Sequence, residues 1–105
     1  MQFRGGINEL MKQASRIQRR VEEAKEANKD RTVEATGAND KVKVTASLSR
    51  ALVRIEVDPE LYASDRELAL DAVVAAANVA LQQASAEMDK EIEKITGGAK
   101  IPGIT

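Results

Sequence analysis

The 105-residue sequence contains no cysteine, no histidine and no tryptophan, and only one phenylalanine and one tyrosine. Without cysteine there is no disulfide framework and no thiolate, and without histidine there is no imidazole to act as a base or bind a metal ion. The sequence also lacks a Gly-rich phosphate loop and the carboxylate spacing of a calcium loop. We therefore expect a protein that is not an enzyme and that uses no cofactor, metal ion or small-molecule substrate.

Long apolar runs are missing as well. No segment approaches the roughly 18 apolar residues of a membrane span, and the N-terminal residues lack the apolar core of a signal peptide. We expect a soluble cytoplasmic protein with no membrane partner. The length predicts one domain over residues 1–105, in which the Gly- and Pro-containing segment 99–105 is a flexible tail.

Charge is nearly balanced over the whole chain but not along it. Sixteen Lys and Arg oppose 17 Asp and Glu, for a net charge of −1. Residues 1–31 carry eight cations and five acids, whereas residues 65–105 carry four cations and seven acids. This asymmetry indicates that the first segment could present an interaction surface that the average conceals.

Two helices are predicted to flank a sheet. Apolar residues recur at heptad spacing from Ile7 to Ala24, which predicts a coiled-coil-like helix over residues 7–30 that is about 36 Å long. Near the other end, Ser64 and Glu67 have the spacing of a capping box. An Ala-rich apolar stripe follows them to Gly97, which predicts a second helix of about 32 residues.

Three short segments between the helices alternate apolar and polar residues, as half-buried strands do. They are centred on Val33, Val44 and Ile55, and turn-forming residues separate them, which favours an antiparallel meander. The predicted fold is α+β, with the order α-β-β-β-α. Because the second helix is longer than a compact domain of this size, we expect one helix end to project. Its excess apolar surface would be buried either in a helix-helix arm within the monomer or, as the favoured interpretation, in a homodimer.

Four cations carry the functional signal. Lys12, Arg16, Arg19 and Arg20 lie within roughly 100° of one another around the first helix, opposite its apolar seam. Such a face could neutralise the phosphates of duplex DNA, and Arg4 could extend it. The competing interpretation is an ordinary solvated helix in which these cations pair with nearby acids, namely Glu9, Glu22, Glu23 and Glu26.

No aromatic residue accompanies the four cations in sequence, so stacking on single-stranded bases is not expected. If DNA is the partner, binding should be dominated by phosphate contacts, with low sequence preference and strong salt dependence.

Several stretches together resemble the bacterial nucleoid-associated proteins of the YbaB/EbfC family. They are Leu10-Met-Lys-Gln-Ala14, Val42-Lys-Val-Thr45, Ile55-Glu-Val-Asp-Pro59, Asp71-Ala-Val-Val-Ala-Ala-Ala-Asn-Val-Ala80, and Gly97-Gly98 with Ile101-Pro-Gly103. The second turn, Ser47-Leu-Ser-Arg50, lacks the glycine that the family often has there.

The resemblance implies a cytoplasmic, tweezer-like homodimer that associates with the nucleoid, binds double-stranded DNA and so affects nucleoid organisation and gene expression. Only Lys12 aligns with a family motif, and the arginines depend on the helix geometry alone. The alternative is a prefoldin-like protein-interaction module without DNA binding, since prefoldin subunits also join two long helices through β-strands.

Overall fold

The computed structural model describes the backbone of residues 3–97 and the side chains of residues 6–97. The elements, in chain order, are α1 (Phe3–Asn28), β1 (Thr32–Gly37), β2 (Val42–Ser47), β3 (Leu52–Val57), α2 (Pro59–Ser64) and α3 (Arg66–Thr96). The predicted order of helix, three strands and helix is confirmed, with the short α2 as an addition. The predicted tail, residues 99–105, lies outside the described residues.

The three strands form an antiparallel sheet in the order β1-β2-β3. Its central strand is the most buried: Val42, Val44 and Ala46 have no exposed surface. They pack against a stripe of small residues on α3, which includes Ala69, Ala76, Ala80 and Ala84. Because these side chains are small, the helix backbone lies close to the sheet. The core between them is therefore filled without large aromatic side chains.

The other face of the sheet is polar, as the alternation predicts. Lys43 lies 3.9 Å from Glu34 of the neighbouring strand, and Arg54 pairs with Glu56 along β3. These exposed pairs contribute little to stability. Because these charged side chains are exposed, this face of the sheet is solvated.

The expected burial of β3 is wrong for the single subunit. Val57 is half-buried, but the side chains of Val53 and Ile55 are 58% and 46% exposed. The reason is the position of α3, which packs on β1 and β2 and reaches little of β3. An apolar strip at this sheet edge therefore has no cover within the subunit.

The predicted capping box at the start of the second helix is also wrong. Asp65, not Ser64, is the N-cap of α3, and its Oδ1 accepts a hydrogen bond from the backbone N–H of Leu68 at 3.1 Å. Ser64 instead ends α2, where its hydroxyl donates to the carbonyl of Leu61 at 3.4 Å. Asp58 caps α2 through the N–H of Glu60. Asp58 and Asp65 therefore each begin a separate helix, where the apolar pattern of the sequence predicts only one.

The turn between β2 and β3 forms without glycine. Arg50 has a φ of 69°, in the left-handed region, and its N–H donates to the carbonyl of Ser47 at 2.9 Å. The buried Leu48 donates its N–H to the carbonyl of Arg31 at 2.8 Å. The turn is thereby attached to the end of α1, at the cost of a left-handed Arg.

The helix α1 forms an arm whose first half is exposed and projects from the molecule, whereas the expectation of a projecting end is based on the length of the second helix. The radius of gyration is 20.0 Å and the molecule measures 75 × 19 × 16 Å, whereas a compact chain of this length has a radius near 13 Å. The heptad seam is covered only in its second half: Val21 is buried and Ile17 is half-buried, but Ile7 and Leu10 are 55% and 66% exposed.

By length and composition α3 contains an 18-residue window apolar enough to cross a membrane, which the sequence interpretation did not anticipate. Core helices of soluble proteins meet this criterion as well. Here 22% of the window is buried, and that part packs on the sheet. The exposed part includes the apolar side chains of Leu70, Val74 and Val79.

Candidate nucleic-acid interface

The four cations predicted from the sequence lie together on one exposed face of α1. Lys12, Arg16, Arg19 and Arg20 are all exposed, and the buried Val21 lies on the other side of the helix. Along the axis they extend over about 12 Å, at 1.5 Å per residue. We call these four residues the basic face. It lies on the projecting part of the molecule, where a large polyanion can reach it.

Within the described residues, no member of the basic face has an acidic partner within 4.0 Å, whereas the cations that follow on α1 do. Lys25 lies 4.0 Å from Glu22, and Lys29 Nζ lies 2.6 Å from Glu26 Oε1. The hydrogen bond that Lys29 donates to the Glu26 carboxylate is the main cause of a raised pKa of Lys29. The solvated-helix interpretation thus describes the second half of α1, and its expected pairs are not formed at the basic face.

Arg4 belongs to the helical segment of α1, but its side chain lies outside the described side chains. Its contribution to the basic face stays a prediction.

The acidic second half of the chain is partly neutralised where it meets α1. Arg31, just after α1, reaches across to two carboxylates of α3: its Nη2 lies 3.4 Å from Glu87 Oε2 and its Nη1 lies 3.2 Å from Glu91 Oε2. On α3 itself, Lys90 pairs with Glu87 and Lys94 pairs with Glu91. Hydrogen bonding from Lys94, reinforced by Arg31, lowers the pKa of Glu91. These pairs reduce the negative potential beside the arm.

Arg31 is the residue that the sequence interpretation missed. Its partners lie 56 and 60 residues away along the chain, so no local spacing could reveal them. Its two ion pairs connect the segment after α1 to the C-terminal part of α3.

The described residues offer little for other chemistry. Within residues 6–97 no group of three or more acidic side chains is arranged to hold a metal ion. Tyr62 is exposed on α2, far along the chain from the basic face. The arrangement is suited to binding an anionic surface through exposed point charges.

Comparison with known proteins agrees with this geometry. A family model described as the YbaB/EbfC DNA-binding family matches residues 3–99. A nucleoid-associated protein of Thermoanaerobacter pseudethanolicus is 40% identical over 97% of this chain and 95% of its own length. A nucleoid-associated protein of Acetivibrio thermocellus is also 40% identical, over 97% of this chain and 92% of its own length.

A solved structure shares the fold. The crystal structure of an uncharacterized protein from Helicobacter pylori superimposes with a TM-score of 0.56, covering 80% of this chain and 90% of its own. The two chains are 19% identical, so this likeness concerns the arrangement of helices and strands.

Proposed function

Because the chain belongs to the YbaB/EbfC DNA-binding family, we propose that it binds double-stranded DNA at the bacterial nucleoid through the basic face of α1. We further propose that a homodimer presents two such faces, that binding has low sequence preference, and that it affects nucleoid organisation and gene expression. The observation that carries the proposal is the exposed basic face, which has no acidic partner within 4.0 Å among residues 6–97.

Electrostatics supports phosphate as the ligand. Four exposed cations of one helix face have their charge available, because neighbouring carboxylates do not neutralise them at close range. Each phosphate neutralised releases condensed counterions, which supplies the free energy of non-specific DNA binding. Three of the four are arginines, whose planar guanidinium can donate two hydrogen bonds to one phosphate. The net charge of −1 does not oppose this, since the acids concentrate in the second half of the chain.

Low sequence preference follows from the residue types. Lys and Arg on an exposed helix can contact the backbone of any duplex, whereas base reading needs side chains that enter a groove in a fixed geometry. Phosphate contacts are therefore expected to dominate.

The uncovered apolar strip supports the homodimer. Gly37 of β1 lies against Ala72, so the flank of α3 that carries Ala72 faces β1. The opposite flank carries Leu70 and Val74, which are 52% and 61% exposed, and it faces the β3 side. Together with Ile55 they are exposed apolar residues on this side of the subunit, which a second subunit would bury.

The dimer is tested by sedimentation equilibrium of the wild type and Ile55→Lys. We expect a dimer for the wild type and a monomer, or at least a tenfold weaker dimer, for Ile55→Lys. The matched control is Thr36→Lys, on an exposed position of β1, which should remain dimeric. A monomeric wild type at micromolar concentration would overturn the homodimer.

DNA binding is tested by fluorescence anisotropy on a 30-base-pair duplex at low salt. The variant Arg16→Gln/Arg19→Gln/Arg20→Gln should bind at least tenfold more weakly than the wild type. The control Lys43→Gln/Lys90→Gln/Lys94→Gln removes the same charge elsewhere and should weaken binding much less. Equal effects in the two variants would assign binding to net charge and not to the basic face.

A further inference from the structure

The first half of the α1 seam is an apolar stripe without cover in the described residues. Ile7, Leu10 and Met11 are 55%, 66% and 63% exposed, and Ala14 beside them is exposed too. The stripe lies on the side of the helix away from the basic face, so DNA bound there would not cover it. A stripe of this kind on an isolated arm favours association with another apolar segment.

The end of α3 lies where the uncovered stripe begins. On the covered part of the arm, Val21 of α1 and Ile92 of α3 are both buried, and α3 is the element packed against α1. One turn further out, Ile17 and Thr96 are half-buried.

Arg31, after the end of α1, contacts Glu87 and Glu91 of α3. Lys25 of α1 lines one cleft with Ile92 of α3. The two helices therefore run in opposite directions, and α3 ends close to Ile17 while α1 continues outward.

Gly97 changes the direction of the chain at that point. It caps α3 with a left-handed φ of 66°, and its N–H donates to the carbonyl of Glu93 at 2.8 Å. The eight residues after it, 98–105, include Ile101 and Ile104, separated by Pro102 and Gly103. Ile101 and Ile104 thus follow the end of α3 in the sequence. That end lies beside the apolar stripe of α1, which no described residue covers.

We propose that residues 98–105 pack on the α1 stripe of the same subunit, with Ile101 against Leu10 and Ala14 and with Ile104 towards Ile7. Chain length allows it. Ile7 lies ten residues beyond Ile17, about 15 Å along the helix axis. At about 3.3 Å per residue, Ile101 reaches about 13 Å from Gly97 and Ile104 about 23 Å.

This assignment gives the segment a function: it shields the apolar side of the arm while the basic face stays accessible. A second copy of the arm is the competing occupant, and would join molecules tip to tip. The segment of the same subunit is favoured because its attachment point lies beside the stripe, so its effective concentration there is in the millimolar range.

Because the chain has no cysteine, an engineered cysteine pair reports this proximity directly. In the full chain, Ala14→Cys/Lys100→Cys keeps both isoleucines and places one thiol on the stripe. The control Lys12→Cys/Lys100→Cys places that thiol on the opposite side of α1. We expect an intramolecular disulfide to form at least tenfold faster in the first variant, as measured by non-reducing electrophoresis and intact mass.

Three results would overturn the assignment. Equal rates in the two variants would mean that the segment does not prefer the stripe. A disulfide-linked dimer as the main product of the pair would assign the stripe to the segment of another subunit, and rapid dimerisation of Ala14→Cys alone would assign it to a second arm.

A second measurement needs no cysteine. Replacing both isoleucines, Ile101→Ser/Ile104→Ser, should uncover the stripe and raise the fluorescence of an apolar dye at least twofold in the folded protein. The control Lys100→Ser/Thr105→Ser should leave it unchanged. An unchanged signal in the isoleucine variant would contradict the packing. Neither measurement involves DNA, so its outcome is separate from the proposed function.

Discussion

Arg31 Nη1 lies 3.2 Å from Glu91 Oε2, although the two residues are 60 positions apart in the chain. Arg31 follows α1 and Glu91 belongs to the part of α3 that runs beside the arm. This contact, with that to Glu87, ties the base of the arm to α3. The basic face lies further along α1, the helix that forms the arm.

Replacing Arg31 tests this tie. Arg31→Met keeps much of the aliphatic stem and removes both ion pairs, so we expect a lower midpoint in urea unfolding and weaker protection of the interface between α1 and α3 in hydrogen exchange. The control Lys90→Met removes a pair that lies within α3 alone, and should change the midpoint less. The idea is wrong if the two variants behave alike in both measurements.

The pH dependence of stability should reveal Glu91. Lys94 and Arg31 lower its pKa in the folded state, so the folded protein binds the proton less readily than the unfolded chain. The stabilisation is present above the ordinary pKa of Glu, about 4.3, and disappears as the pH falls through the lower folded pKa. We expect Glu91→Gln to be less stable than the wild type at pH 7 and the difference to shrink as the pH falls below about 4, as measured by urea unfolding across pH. A difference that does not shrink on acidification would contradict this cause.

Replacing Arg50 with glycine should stabilise the folded protein. A non-Gly residue in the left-handed region costs about 1 kcal/mol, and Arg50 is held there by its turn. Arg50→Gly and Arg50→Ala remove the same side chain, but only glycine removes the conformational cost. We expect Arg50→Gly to exceed Arg50→Ala by about 1 kcal/mol in the free energy of unfolding. An alanine variant as stable as the glycine variant would mean that the turn imposes no strain.

The close approach of α3 to the sheet makes its alanines sensitive to size. Ala80 has no exposed surface, so Ala80→Leu should force the helix away from the sheet and cost about 1–3 kcal/mol. Ala86→Leu, at an exposed position of the same helix, is the control and should stay within about 0.5 kcal/mol. Thermal unfolding of both variants checks this. Equal stability would indicate that the helix-sheet interface has spare room.

Much of the fold can be predicted from the sequence because periodicity is local information. The heptad seam predicts α1, and the alternation around Val44 predicts the buried central strand. The start of α3 could not be predicted in the same way, because Ser64 and Asp65 are both good N-caps and the choice between them depends on where α2 ends. The left-handed conformation of Arg50 could not be predicted from its turn residues either.

The exposure of β3 could not be predicted either, because alternation identifies the apolar side of a strand but not what covers it. Whether Ile55 is buried depends on the lateral position of α3, which the packing of small residues on β1 and β2 determines. At the candidate interface, spacing predicts that Lys12, Arg16, Arg19 and Arg20 share a face. Among the described residues these four cations lack acidic partners, whereas Lys25 and Lys29 have them. Side-chain conformation decides this difference, and residue spacing does not predict it.

The salt dependence of DNA affinity measures how many phosphates the basic face binds. The slope of log K against log salt becomes shallower by about 0.9 for each phosphate that the protein no longer neutralises. Comparing the wild type with Arg16→Gln/Arg19→Gln/Arg20→Gln on one duplex, we predict a slope that is shallower by about 2.7 for each subunit bound to DNA. An unchanged slope in the folded variant would show that other residues neutralise the phosphates, and would contradict the account.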